Sequence, residues 1–176
     1  RSSLVTGVQT CALPIFSTDD GRGISGDLTG YRLFDTNGNP VNMDEMISKV
    51  KSADVTFIGE IHTDTIAHNL EAMLLERTWD KWQTLSLEMF ETDVQYVLDE
   101  YMTGHINEEH FLKSARSWKN YGSDYRKLIE FSKKKGTPVI AANAPRRYVN
   151  MVRRMGKNSL LNLPEEGKRF LPPLPV

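Results

Sequence analysis

A chain of 176 residues with 39% hydrophobic and 26% charged side chains is long enough to bury a core and is ordinary for a folded globular protein. Its 22 basic residues nearly balance 23 acidic ones, and a net charge of −1 removes the electrostatic case for a nucleic-acid or anionic-membrane partner. No apolar run approaches bilayer length, and the single cysteine, Cys11, excludes an internal disulfide.

The first residues, RSSLVTGVQTCALPIF, join a basic start to a cysteine, as a lipoprotein signal does. Gln9 and Thr10 stand where small or apolar residues belong before such a cysteine, and there is no continuous apolar core. VTGVQTCALPI reads instead as a translated sequencing-library adapter. Residues 1–16 are therefore set apart as a non-native tail expected to pack on nothing, and residues 17–30, rich in Gly, Ser and Asp, as a flexible lead-in. Residues 31–176 are expected to be part of a single folded domain.

Residues 31–34 alternate as a strand does, and Asp35-Thr36-Asn37-Gly38-Asn39 is a turn signal, so a small hairpin returning through Pro40 and Val41 is expected. Asn42 with Glu45 three residues on is a capping box, opening a helix with Met43, Met46, Ile47 and Val50 on its apolar face. The stretch 54–62, DVTFIGEIH, then organises the rest. Residues 55–58 are β-branched, aromatic and uncharged, the pattern of a short buried strand. Gly59 breaks it and delivers Glu60 and His62, two apart and so on one side of an extended chain. A helix over 65–81 follows, with Ile66, Leu70, Met73 and Leu74 inward and His68 close to the strand end.

Residues 84–90, TLSLEMF, read as a second strand carrying Glu88. Helices are expected from Asp93 to Tyr101, from Asn107 to Trp118, and from Ser123 or Asp124 to Lys135, with stops at Gly104 and Gly136. A third strand, 139–142, ends in Asn143. Pro145 then opens a helix bearing Arg146, Arg147, Arg153 and Arg154. Strands that alternate with helices imply an α/β fold: a largely parallel sheet flanked by helices, with the small N-terminal hairpin. Parallel neighbours would bring Glu60, His62, Glu88 and Asn143 to one carboxyl edge, with His68 and Arg146 or Arg147 at the rim. Buried acids at such an edge need an arginine or a ligand beside them. Three strands are few for such a sheet, and the Pro-rich ending PPLPV suggests a C-terminally truncated fragment.

The segments GEIHTDTIAH, LEMFETDVQYVLDEYMTG, ARSWKNYGSDYRKLIEFSKKKGTPVIAANAPRRYV and LPPLP, in that order, resemble the ChaN-like proteins of the haem-binding uptake/Tiki superfamily. The resemblance covers about residues 31–176. It implies a haem-binding protein of the bacterial cell envelope, periplasmic or held by a lipid anchor absent from this chain, that serves haem or iron uptake and is a candidate homodimer. It also implies kinship to metal-dependent peptidases and erythromycin-esterase-like hydrolases, whose GxxH and glutamate elements fall here on Gly59, Glu60, His62 and Glu88. The second GxxH of the Tiki type is missing.

Two function classes follow. A haem binder would use Glu60, His62, His68, Glu88, Asn143, Arg146, Arg147 and Tyr121. In that case Trp118, Tyr121 and Tyr125 form a flat wall for a porphyrin, a tyrosine is a candidate iron ligand, and an arginine meets a propionate. A hydrolase would instead gather Glu60, His62 and Glu88 around a divalent metal ion. Each residue has a plainer reading. Glu60 and His62 would cap the next helix, Glu88 would pair with Arg146 or Arg147, the three aromatics would be core, and His105 and His110 would be solvated.

Overall fold

The computed structural model describes residues 30–174. Expectations for the tail and most of the lead-in lie outside the described residues. The chain divides into two compact units: residues up to Asp80 with Gly122–Leu128, and Lys81–Tyr121 with the residues from Ile129 onward.

In the first unit the expected hairpin is present. Strands β1 (Leu33–Phe34) and β2 (Pro40–Val41) pair antiparallel. Asp35 shapes the turn by accepting the Asn37 and Asn39 amides at 2.9 and 2.8 Å, and Gly38 supplies the positive φ of +82°. Helix α1 (Met43–Ser52) opens with the full capping box: Asn42 accepts the Glu45 amide and Glu45 accepts the Asn42 amide. Its Met46 and Ile47 join Leu33 and Leu74 in a buried cluster. Helix α2 (Thr65–Thr78) begins where Asp64 accepts the Ile66 and Ala67 amides, and it buries Ala67, His68, Leu70, Leu74, Leu75 and Thr78. Leu70 and Leu74 of the expected face lie in that stripe, whereas Ile66 and Met73 are half-buried.

The second unit holds the parallel pair β3 (Leu85–Glu91) and β4 (Val139–Asn143). Between them the chain forms a 3-10 turn (Thr92–Val94), α3 (Gln95–Met102) and α4 (Glu108–Ala115). A π-turn (Tyr121–Tyr125) leads into α5 (Arg126–Lys135), and both run through the boundary between the units. Helix α6 (Arg146–Met155), a 3-10 segment (Lys157–Asn162) and α7 (Glu165–Lys168) follow β4. Phe90, Phe111, Leu98 and Ile129 are fully buried, and the Phe111 ring stacks on Tyr101 at 4.4 Å. Asn107 caps α4 by accepting the His110 amide, as expected. Among the described residues no helix is long and apolar enough to cross a membrane.

Three expectations are corrected. Residues 55–58 are not a strand, and Val55, Phe57 and Ile58 are 44%, 61% and 44% exposed. The run has strand propensity but no partner strand among the described residues, and propensity without pairing leaves a loop. The helix expected from Asp93 begins at Gln95, and the Asp93 carboxylate is taken by Arg116 and Arg147. Helix α4 stops at Ala115, well before Trp118, because Arg116 turns left-handed at φ +54°.

Truncating Phe111 to Ala should therefore cost about 3–5 kcal/mol in urea unfolding. Trp82→Ala, at a side chain that is 82% exposed, should stay within about 0.5 kcal/mol. Equal losses at the two positions would contradict this core.

Candidate functional site

The chain between α1 and α2 brings Glu60 and His62 against α2. Asp64 starts the helix there, so the first turns of α2 carry His68 and, three residues on, Glu71. Residues at i and i+3 share one helix face. The π-turn supplies Tyr125, whose ring lies 4.5 Å from that of His68.

The hydrogen bonds set the chemistry of each atom. The Glu60 carboxylate works on two sides. Its Oε1 accepts from the Tyr125 hydroxyl and from His62 Nδ1, the latter at 2.9 Å. Its Oε2 faces His68 Nδ1 at 2.9 Å, and Glu71 Oε2 faces the same nitrogen at 3.1 Å. The other ring nitrogen of His68, Nε2, lies 3.2 Å from the His62 carbonyl. A carbonyl only accepts, so Nε2 carries the hydrogen. In a neutral His68, Nδ1 then presents a lone pair to two carboxylates. His68 is fully buried, while the Glu60 and Glu71 side chains are 15% and 11% exposed.

Such a cluster holds protons tightly. Burial, with the Glu60 carboxylate next to it, raises the Glu71 pKa from its ordinary 4.5 to about 7. Burial alone would lower that of His68. The His62 carbonyl and the two glutamates outweigh burial and raise it. The Tyr125 hydroxyl is pushed up by burial and by its bond to Glu60, so the phenol stays protonated.

Of the residues expected at the site, Glu60, His62 and His68 come together. The meeting of Glu88 and Asn143 with them rested on residues 55–58 being a strand of the same sheet, and that strand is not formed. Glu88 is exposed on β3. The β3–β4 register shifts after Leu87, so the acid opposite Asn143 is Glu91. Neither arginine pairs with Glu88 in the described hydrogen bonds. Arg147 bonds Asp93, and Arg146 is exposed at the start of α6. Tyr121 is buried edge-on against Phe111, a core aromatic. His105 and His110 are exposed, as expected.

Glu71 was missed. Its signal was there, His68-x-x-Glu71 in a helix beginning beside Glu60, but an acid between apolar positions reads as solvated. In the sequence Tyr125 reads as wall or core, and its bond to Glu60 depends on a contact 65 residues distant.

A family model described as haem-binding uptake, Tiki superfamily, ChaN matches residues 46–176. Neither a curated protein nor a solved structure matches the chain.

The proton balance gives a testable pH dependence. Folded Glu71 keeps its proton until about pH 7, whereas the unfolded chain loses it near 4.5. The folded state thus binds more protons in that window, and stability falls as pH rises through it. His68, raised above its ordinary 6.5, acts in the same direction: its contribution is complete below 6.5 and lost as pH climbs past the folded value. With chelator present, the melting temperature should fall from about pH 5 to about pH 8. Glu71→Gln should flatten that fall. Parallel curves for wild type and variant would count against the assignment.

Proposed function

Because this chain belongs to the ChaN family of haem-binding uptake proteins in the Tiki superfamily, we propose that it binds haem in the bacterial cell envelope and serves haem or iron uptake. The observation that carries the reading is the family match over residues 46–176. The local chemistry suits the group. His62 is half-exposed, with Nδ1 held by Glu60, the kind of carboxylate partner that orients an imidazole and raises its basicity toward a metal. Phe57, Ile58 and Ile61 in the same loop are 61%, 44% and 72% exposed, an apolar surface of the kind a porphyrin face covers. Haem, when bound, supplies a redox-active iron whose potential follows its axial ligand and the polarity around it.

In this reading His62 would hold the haem, with Glu60 orienting His62 and Tyr125 holding Glu60 in place. The hydrolase alternative placed a divalent ion among Glu60, His62 and Glu88. Glu88 is exposed on β3, in the other compact unit.

A hemin titration followed by absorbance decides the matter. The expected result is a saturable Soret shift that His62→Ala weakens or moves while the protein stays folded, with no turnover of peptide or ester substrates. Absence of a Soret shift, or metal-stimulated hydrolysis in its place, would overturn the proposal.

A further inference from the structure

We propose that Glu60, His68 and Glu71 form a binding site for one divalent transition-metal ion, independent of haem. One ligand atom from each of the three residues lies within 4.8 Å of the others. The donor set of two carboxylates and one imidazole suits ions of intermediate softness such as Zn²⁺, Mn²⁺, Fe²⁺ or Co²⁺.

Three observations point to an ion. The first is the tautomer of His68. Its Nε2–H is committed to the His62 carbonyl, the arrangement that fixes a metal-binding histidine and leaves Nδ1 as the ligand atom. The second is the division of labour on Glu60. Oε1 already takes the Tyr125 hydroxyl and the His62 ring, whereas Oε2 is buried, receives no hydrogen bond and points at His68 Nδ1. A buried carboxylate oxygen turned toward a lone pair needs a proton or a metal ion between them. The third is charge. Among the described residues, neither Glu60 nor Glu71 pairs with a lysine or arginine. The expected arginine beside these acids is absent among the described residues, which leaves protons or a bound cation to balance them.

The spacing fits. Ligands about 2.1 Å from an ion in adjacent octahedral positions stand about 3.0 Å apart. Nδ1 of His68 lies 2.9 and 3.1 Å from the two carboxylate oxygens. Three protein ligands leave coordination positions for water or a small anionic ligand. Tyr125 and His62 then act as positioning residues, through Glu60.

The test uses the whole chain, stripped with chelator and titrated with Co²⁺. Its visible absorption reports ligand geometry, and equilibrium dialysis reports stoichiometry. One Co²⁺ per chain is expected, together with a metal-dependent rise in melting temperature. Glu71→Gln keeps the side chain's size and removes its charge. It should abolish both signals while circular dichroism stays native, and His68→Gln should do the same. His62→Ala removes only an outer partner and should weaken binding by roughly 10–100-fold without changing stoichiometry. Failure of wild type to take up Co²⁺ saturably overturns the proposal. So does uptake by Glu71→Gln equal to wild type. Hemin titration of Glu71→Gln runs beside these measurements: an unchanged Soret shift with lost cobalt uptake separates the ion site from haem binding. If His68→Gln fails to fold, Glu71→Gln alone decides.

Discussion

Glu60 is the constraint around which the first unit's polar chemistry is arranged. A carboxylate has two oxygens, and here each meets a different set of partners. One is saturated by a phenol and an imidazole, and the other is held against a buried imidazole nitrogen. Because Oε1 is tied to Tyr125 and His62, the carboxylate cannot rotate to relieve Oε2 without breaking two bonds. Charge-assisted bonds of this kind are about twice as strong as neutral ones. The buried His68 is fixed from its far side by the His62 carbonyl, so neither member of the facing pair can turn away.

The elements that set this arrangement are local and simple. Asp64 starts α2 by accepting two amides, and that start fixes which residues face Glu60. Moving the start by one residue would rotate His68 and Glu71 by about 100° around the helix and disperse the cluster. A single N-cap thus sets the geometry of the site, and its own carbonyl accepts the His68 amide at 3.1 Å.

Legibility in the sequence followed the range of the interaction. The hairpin turn, the Asn42–Glu45 capping box and the Asn107 cap are short-range devices with fixed residue offsets, and all three could be read. The parallel pairing of 85–87 with 139–141 was readable from apolar runs separated by helices. The 55–58 run was misread because its composition reports propensity and not the presence of a neighbour. The register shift beyond Leu87 replaced Glu88 by Glu91 opposite Asn143, and a bulge leaves no mark in hydrophobic alternation. Within the site, Glu60, His62 and His68 announced themselves as polar residues after an apolar run. Glu71 and the Tyr125 contact required knowing which face of α2 is buried.

The two halves of the Glu60–His68 cluster rest on different kinds of support. His68 and Glu71 ride on a 14-residue helix, whereas Glu60 and His62 belong to an exposed chain outside any helix or strand. Segments without a backbone ladder open at low free energy, while packed helices open only near the global limit. The helix therefore acts as the fixed jaw and the loop as the moving one. A group held between them would leave most readily by way of residues 54–62.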